Sequence, residues 1–142
     1  MTKPAKTILG CILFILAIIV VIIAVELCKI RTQVAIVHTR QRLFLLSYAS
    51  TNYASVYGVW PQSLDDLFTN KSNILFVISD PRKIRIDGWG RAFDYVPFNT
   101  NIGYGIIRSL GSDCKQGGSK DREDIEVHFD INRIVELSRD QN

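Results

Sequence analysis

The residues with the clearest chemical potential lie in one polar segment, residues 109–125, SLGSDCKQGGSKDREDI. It holds four carboxylates, three cations and three glycines, with almost nothing apolar between Leu110 and Ile125. Carboxylates, and the carbonyl groups that glycines can turn inward, are ligands of hard cations. Without a bound ligand or contacts to neighbouring elements, a segment this polar is usually disordered. Whether it is ordered therefore depends on the elements on either side of it.

The other potentially reactive side chains do not indicate an enzyme. His38 and His128 are isolated, and no serine–histidine–aspartate set, nucleophile elbow, phosphate-binding loop or catalytic carboxylate pair accompanies them. Cys11, Cys28 and Cys114 form neither a zinc motif nor a disulfide framework. The net charge of +3 comes from scattered single cations, unlike the basic stripe of a nucleic-acid-binding protein. We therefore predict a protein that is not an enzyme and binds no nucleic acid.

The N-terminal region indicates a membrane anchor. Residues 7–25, TILGCILFILAIIVVIIAV, carry no charge, and about 20 such residues in a helix cross the hydrocarbon core of a bilayer. A cleavable secretory signal is the competing interpretation, but its apolar region would be shorter and would end at a small-residue cleavage site. We predict a retained anchor within residues 1–28. The count of Lys and Arg on its two sides favours the larger part of the chain on the inside.

Helical periodicity continues beyond the anchor, through residues 29–58. Two neighbouring apolar stripes recur at three- and four-residue spacing: Leu27, Ile30, Val34 and Val37, and then Leu43, Leu46, Ala49 and Tyr53. Gly58 is a suitable stop, and no glycine or proline interrupts the residues between Gly10 and Gly58. We predict one helix over residues 7–57, about 75 Å long at 1.5 Å per residue.

Residues 59–142 should form a small globular domain. PQSLDDLF predicts a short helix with Ser63 as N-cap and Asp66 three residues later. Alternating apolar residues predict three strands, in residues 92–96, 103–110 and 125–131. NILFVIS, residues 73–79, is apolar without a decisive period, and the C-terminal NRIVELSRDQN suggests a short helical turn.

These elements predict an α+β fold. A long N-terminal helix, transmembrane and then amphipathic, should pack against a small antiparallel three-stranded sheet. The polar segment 109–125 then joins the second strand to the third, which gives it two fixed ends.

Several short motifs carry a family resemblance. YGVWPQSLDDL, DGWGRAFDYV and YGIIRSLGSD, followed by a glycine pair and DI, resemble the major pseudopilins of type II secretion systems, a branch of the type IV pilin-like family. The matching residues near the polar segment are Ser109, Leu110, Gly111, Asp113, Gly117, Gly118, Asp124 and Ile125. The resemblance covers residues 48–125 and implies a pilin-like fold.

The sequence departs from the family pattern in two places. Gly88 stands where the tryptophan motif of the family has a proline. Gly10, the candidate processing site, is followed by Cys11 rather than phenylalanine, and no acidic residue occurs before Glu26. The family pattern has a glutamate at the fifth mature position, which is thought to meet the free amine of the neighbouring subunit.

The resemblance also implies a structural Ca²⁺ ion in the polar segment. Asp113 and Asp124 match family ligands, and Leu110 and Ser119 fall where carbonyl ligands are expected. The usual third carboxylate position holds Arg122, and either of its neighbours, Asp121 or Glu123, could replace that ligand. A metal-free loop held by Lys or Arg bridges is the alternative.

The implied function is that of a pilin-like structural subunit of a type II secretion pseudopilus. The stripe Leu27, Ile30, Val34 and Val37 would serve as the assembly face, with copies of the chain, other pseudopilins and inner-membrane secretion components as partners. The expected location is the bacterial inner membrane, single-pass, with the C-terminal domain periplasmic. The alternatives are a non-polymerising membrane-tethered module that binds a protein partner and, less supported, a membrane-bound hydrolase.

Overall fold

The computed structural model describes residues 3–69, 82–119 and 122–130. Its elements are α1 (Lys3–Tyr57), α2 (Asp66–Thr69), a 3-10 turn (Lys83–Arg85), β1 (Asp94–Asn99), β2 (Tyr104–Ser109) and β3 (Ile125–Asp130). This order confirms the predicted α+β class, with one long N-terminal helix and a three-stranded antiparallel sheet. The predictions for residues 73–79 and for the C-terminal NRIVELSRDQN lie outside the described residues.

Helix α1 is continuous over 55 residues. It begins at Lys3, four residues earlier than predicted. Pro4 permits this start, since proline is tolerated in the first turn of a helix. It ends as predicted at Gly58, which has a φ of 71° and donates its N–H to the carbonyl of Ala54 at 2.9 Å. The helix is long and apolar enough to cross a membrane, a test that an N-terminal signal sequence also passes.

The chain divides into two compact units, Met1–Val34 and Ala35–Asn142. In the first unit, the described side chains from Gly10 onward are exposed apart from the half-buried Thr32. An exposed ion pair joins Lys29 Nζ to Glu26 Oε1 at 2.7 Å. Such a pair contributes at most about 1 kcal/mol.

The core of the second unit lies between α1 and the sheet. The helix contributes the predicted stripe, and the remaining members come from other elements: Leu43, Leu46, Ala49 and Tyr53 pack with Leu67, Ile84, Phe93, Ile107 and Phe129. Each large apolar side chain that is fully buried contributes roughly 1.5–3 kcal/mol. The second stripe of the helix therefore attaches α1 to the sheet.

The sheet has the order β1-β2-β3. Ile107 pairs with Tyr95 on one side and Val127 on the other, and it is completely buried. Gly105 lies opposite Phe129, and a Cβ atom at Gly105 would overlap the Phe129 ring. The glycine therefore makes the space into which the largest fully buried side chain of the core packs.

The short helix α2 has the predicted cap. The Asp66 N–H donates to Ser63 Oγ at 3.3 Å, and the Ser63 N–H donates to Asp66 Oδ2 at 3.0 Å. These reciprocal bonds form a capping box, with aspartate in place of the usual glutamate. The preceding Trp60 stacks on Phe98 with ring centroids 4.4 Å apart, which attaches this segment to β1.

Candidate functional site

The polar segment begins at a buried hydrogen-bonded serine. Ser109, the last residue of β2, is completely buried. Its hydroxyl donates to Asp87 Oδ2 at 2.7 Å and accepts the N–H of Gly111 at 3.3 Å. The segment therefore leaves the sheet with a defined direction.

Asp87 is the centre of this arrangement and is only 2% exposed. Its Oδ1 accepts the backbone N–H groups of Trp89 and Arg91, both at 2.9 Å. With the Ser109 hydroxyl on Oδ2, the buried carboxylate has three hydrogen bonds. A buried charge is tolerated when its oxygens are satisfied in this way. We call residues 87–91 the Asp87 turn.

Arg91 connects the Asp87 turn to the polar segment. Its Nη1 donates to the carbonyl of Gly111 at 2.8 Å, and its Nη2 donates to the carbonyl of Ser112 at 2.7 Å. Charge-assisted bonds of this forked kind are stronger than neutral ones. The first turn of the segment is thus held by an arginine bridge, as in the alternative that needs no metal.

Helix α1 holds the other side of the Asp87 turn. Arg42 Nη1 donates to the carbonyls of Ile86 and Asp87, both at 2.9 Å. The buried Thr39 hydroxyl accepts the N–H of Gly88 at 2.8 Å and donates to the carbonyl of Ala35 at 2.8 Å. Side chains of the helix therefore satisfy backbone groups of the turn.

The remainder of the segment is held by its own carboxylates. Asp113 Oδ1 accepts the N–H of Lys115 at 3.2 Å. Near the other end, Asp124 Oδ2 accepts the N–H of Gly117 at 3.0 Å, which closes the loop. Asp124 Oδ1 is enclosed and has no hydrogen-bond partner in the described chain. Among the buried side-chain oxygens in the described part of this segment, Asp124 Oδ1 is the one without a hydrogen-bond donor.

The predicted metal ligands are only partly brought together. Leu110 and Asp113 are half-buried, whereas Ser119 and Glu123 are exposed. The Ser119 carbonyl already accepts the N–H of Arg122 at 3.2 Å. Asp121 lies outside the described residues. Among the residues that the structure describes, no three or more His, Cys, Asp or Glu side chains are grouped closely enough to hold a metal ion.

Asp124 borders an open groove beside α1. Its lining residues are Ile36, Arg40, Glu123, Asp124, Ile125 and Glu126. The three carboxylates belong to the end of the polar segment and the start of β3, and Arg40 belongs to the helix. The groove therefore gives solvent access to the carboxylate-rich end of the segment.

The residues predicted for processing and assembly lie on α1. Gly10 and Cys11 are exposed helical residues. The predicted assembly stripe is exposed along its length: Leu27 55%, Ile30 57%, Val34 49% and Val37 59%. These exposed fractions contrast with those of the second stripe, whose members are buried.

Sequence reasoning assigned no role to Asp87, Arg91, Thr39 or Arg42. The spacing Asp-Gly-x-Gly-Arg is a visible signal, because two glycines beside an aspartate indicate a tight turn. The partners on α1 lie more than 40 residues away in sequence and carry no comparable signal.

The geometry defines a small α+β domain with an arginine-held polar loop and an N-terminal helix apolar enough to span a membrane. No protein-family model matches the chain, and no curated protein or solved structure matches it.

Proposed function

We propose that the chain is a pilin-like structural subunit of a type II secretion pseudopilus, which assembles through α1 and supports protein export. The proposal is supported by the motif resemblance, by the long apolar helix and by the three-stranded sheet that packs on it. The mechanism is assembly, without turnover of a substrate.

One observation carries this proposal: α1 has exposed apolar side chains after its uncharged run. Leu27, Ile30 and Val37 follow the uncharged run and are 55–59% exposed. Ile30 and Val37 lie beyond residues 1–28, the predicted anchor, and exposed apolar side chains grouped outside the bilayer mark an interaction surface. Burying each of these side chains against another subunit would contribute roughly 1.5–3 kcal/mol, before the cost of association.

The proposed location is the bacterial inner membrane, with a short N-terminal tail inside and the sheet domain in the periplasm. This orientation follows the resemblance and opposes the simple Lys and Arg count. The proposed partners are copies of the chain, other pseudopilins and inner-membrane secretion components.

The mass of the intact protein from its native membrane tests the assembly proposal. We expect loss of the first ten residues and one methyl group on the new N-terminal Cys11, because Gly10 occupies the processing position of the pattern. Tryptic mapping of the N-terminal peptide provides the control for nonspecific proteolysis. An intact Met1 on the membrane-resident protein would contradict processing.

The second candidate, a membrane-tethered module that does not polymerise, is favoured by one specific feature. Ile15 occupies the fifth position after Gly10, where the pattern has glutamate. Without that carboxylate, a subunit lacks the expected partner for its neighbour's amine. An intact Met1 on a membrane protein that stays monomeric would support this module.

We further propose a structural Ca²⁺ ion at the end of the polar segment. The enclosed Asp124 Oδ1, which has no hydrogen bond to the described residues, fits a cation ligand. Asp113 would contribute a second carboxylate, and Asp121 or Glu123 a third. A bound divalent cation would offset two of these three negative charges, while Arg91 holds the opposite end of the segment.

Chelation tests the calcium proposal. With Ca²⁺ at 100 times its Kd, removal should lower the Tm of the full chain by about 10 °C, because binding to the folded state stabilises it. Asp113→Ala should abolish this sensitivity. Asp94→Ala, which removes a carboxylate outside the segment, should retain it. Identical melting curves of the parent protein with and without chelator would exclude a structural ion.

A further inference from the structure

The sheet carries a largely buried arginine on the face that points away from the core. Arg108 alternates along β2 with the completely buried Ile107, so its side chain leaves the opposite face of the sheet. That side chain is only 21% exposed, and its Nη2 donates to Asp94 Oδ2 at 2.6 Å. Arg108 is therefore held among neighbouring side chains instead of extending into solvent.

Three carboxylates surround this arginine. Asp94 in β1 and Glu126 in β3 lie directly opposite Arg108 in the two strand ladders. The third, Asp124, precedes Glu126 by two residues. The hydrogen bond to Asp94 raises the pKa of the guanidinium, and the charges of all three carboxylates raise it further against the opposing effect of burial. One positive charge thus interacts with three negative charges, including the carboxylate that we assign to Ca²⁺.

Two polar atoms in this cluster lack hydrogen bonds. Among the buried side-chain nitrogen and oxygen atoms of the described residues, Arg108 Nε and Asp124 Oδ1 are the ones without a partner. The first is a donor on a cation, and the second is an acceptor on an anion. Buried polar atoms are normally satisfied, so each of the two indicates an interaction that the described side chains do not complete.

The other bonds of the cluster single out Asp124 as the carboxylate for which cations compete. Asp94 Oδ2 accepts from Arg108 Nη2, and Glu126 Oε1 lies 3.2 Å from His128 Nε2. Asp124 Oδ2 accepts a backbone N–H, which leaves its Oδ1. A positive charge beside this carboxylate stabilises it when no ion is present, and it repels any second cation that binds there.

We propose that Arg108 is an internal cation that competes with Ca²⁺ for Asp124 and so sets the affinity of the polar segment for the ion. Without Ca²⁺, the guanidinium offsets part of the charge of the three carboxylates. With Ca²⁺ bound, the guanidinium opposes the ion. The inference rests on the calcium proposal above and adds the residue that regulates that site. It is independent of N-terminal processing and of fibre assembly.

Titration of Ca²⁺ alone into the full chain in detergent tests this competition, with the rise in Tm as the measure of binding. Arg108→Gln removes the charge and keeps a polar side chain, so Ca²⁺ should bind about tenfold more tightly. Arg108→Lys keeps a cation at the same place, so its affinity for Ca²⁺ should stay within about twofold of the parent. This conservative variant separates the effect of charge from that of side-chain packing.

Asp94→Ala is the matched control, because it breaks the same ion pair but retains the cation. It should leave the affinity for Ca²⁺ unchanged or weaken it slightly, whereas Arg108→Gln should strengthen it. In chelator the effect on stability has the opposite sign. There, Arg108→Gln should melt about 5 °C below the parent, because the three carboxylates have lost their cation, and saturating Ca²⁺ should remove this deficit.

Each outcome separates this inference from the calcium proposal. Equal affinity of the parent and Arg108→Gln for Ca²⁺ would overturn the inference and leave the calcium proposal standing. Equal tightening by Asp94→Ala would also overturn it, because loss of the ion pair would then be the cause. Binding by Arg108→Gln but not by the parent would support the competition and contradict a Ca²⁺ ion in the parent chain. If neither protein binds Ca²⁺, both proposals are wrong.

Discussion

Replacement of Asp87 by alanine is expected to lower the free energy of unfolding by about 3–5 kcal/mol. The substitution leaves two backbone N–H groups, of Trp89 and Arg91, and the hydroxyl of Ser109 without their acceptor in a buried site. It also frees the Asp87 turn that presents Arg91 to the polar segment. Denaturant unfolding of the full chain in detergent, followed by tryptophan fluorescence, measures the change.

Two further variants serve as comparisons: one removes the charge of Asp87 but keeps a hydrogen-bonding side chain, and the other removes an exposed carboxylate elsewhere. Asp87→Asn keeps an oxygen for the two N–H groups and an amide that can donate to the Ser109 hydroxyl, so it should lose only about 1–2 kcal/mol. Asp94→Ala removes the Asp94 Oδ2–Arg108 Nη2 pair of 2.6 Å, where Asp94 is 46% exposed, and should lose at most about 1 kcal/mol. Equal losses for Asp87→Ala and Asp94→Ala would refute the central position of Asp87.

The elements that the sequence predicts well depend on local and periodic signals. The uncharged run, the two helical stripes and the Gly58 stop define α1, because each acts through neighbours three or four residues away. The capping box of Ser63 and Asp66 has the same local character. Periodicity places β2 and β3 within about one residue of their observed ends. The predicted first strand begins two residues before β1, because Ala92 instead forms an isolated bridge with Ile86.

The candidate site is less predictable because its contacts are distant in sequence. Asp113 and Asp124 are visible as carboxylates beside glycines, but the bridge from Arg91 to Gly111 and Ser112 depends on how the Asp87 turn packs. Arg42 reaches that turn across 44 residues or more. Neither periodicity nor residue type predicts which arginine side chain binds which backbone carbonyl. The sequence alone therefore does not distinguish a loop held by a metal ion from one held by an arginine bridge.

The two faces of α1 have separate roles in the proposed function. The stripe beginning at Leu43 belongs to the folding core, so substitutions there should act on the stability of the domain. Val37 is 59% exposed, so substitutions in the predicted assembly stripe should act on association with little effect on folding. This separation allows assembly variants to be studied in a folded domain.

Gly88→Pro should destabilise the domain by about 3–5 kcal/mol, even though the pseudopilin pattern carries a proline at this position. A Cβ atom at Gly88 would overlap the backbone carbonyl of Ala35, so any side chain must push α1 away from the Asp87 turn. Proline also removes the N–H that Gly88 donates to the Thr39 hydroxyl. In this chain the glycine therefore allows close packing and supplies a hydrogen-bond donor.

Three variants divide this effect into its causes, each measured by denaturant unfolding of the full chain. Gly88→Ala retains the donor and should lose about 1–3 kcal/mol from overlap alone. Thr39→Val removes the acceptor at nearly constant volume and should lose about 1–2 kcal/mol. Gly58→Ala is the control for backbone strain: it has open space around it and a φ of 71°, so about 1 kcal/mol is expected. At the observed separation, a proline ring at residue 88 and the Ala35 carbonyl cannot both be accommodated. If Gly88→Pro unfolds at the same denaturant concentration as the parent, α1 and the Asp87 turn do not approach this closely.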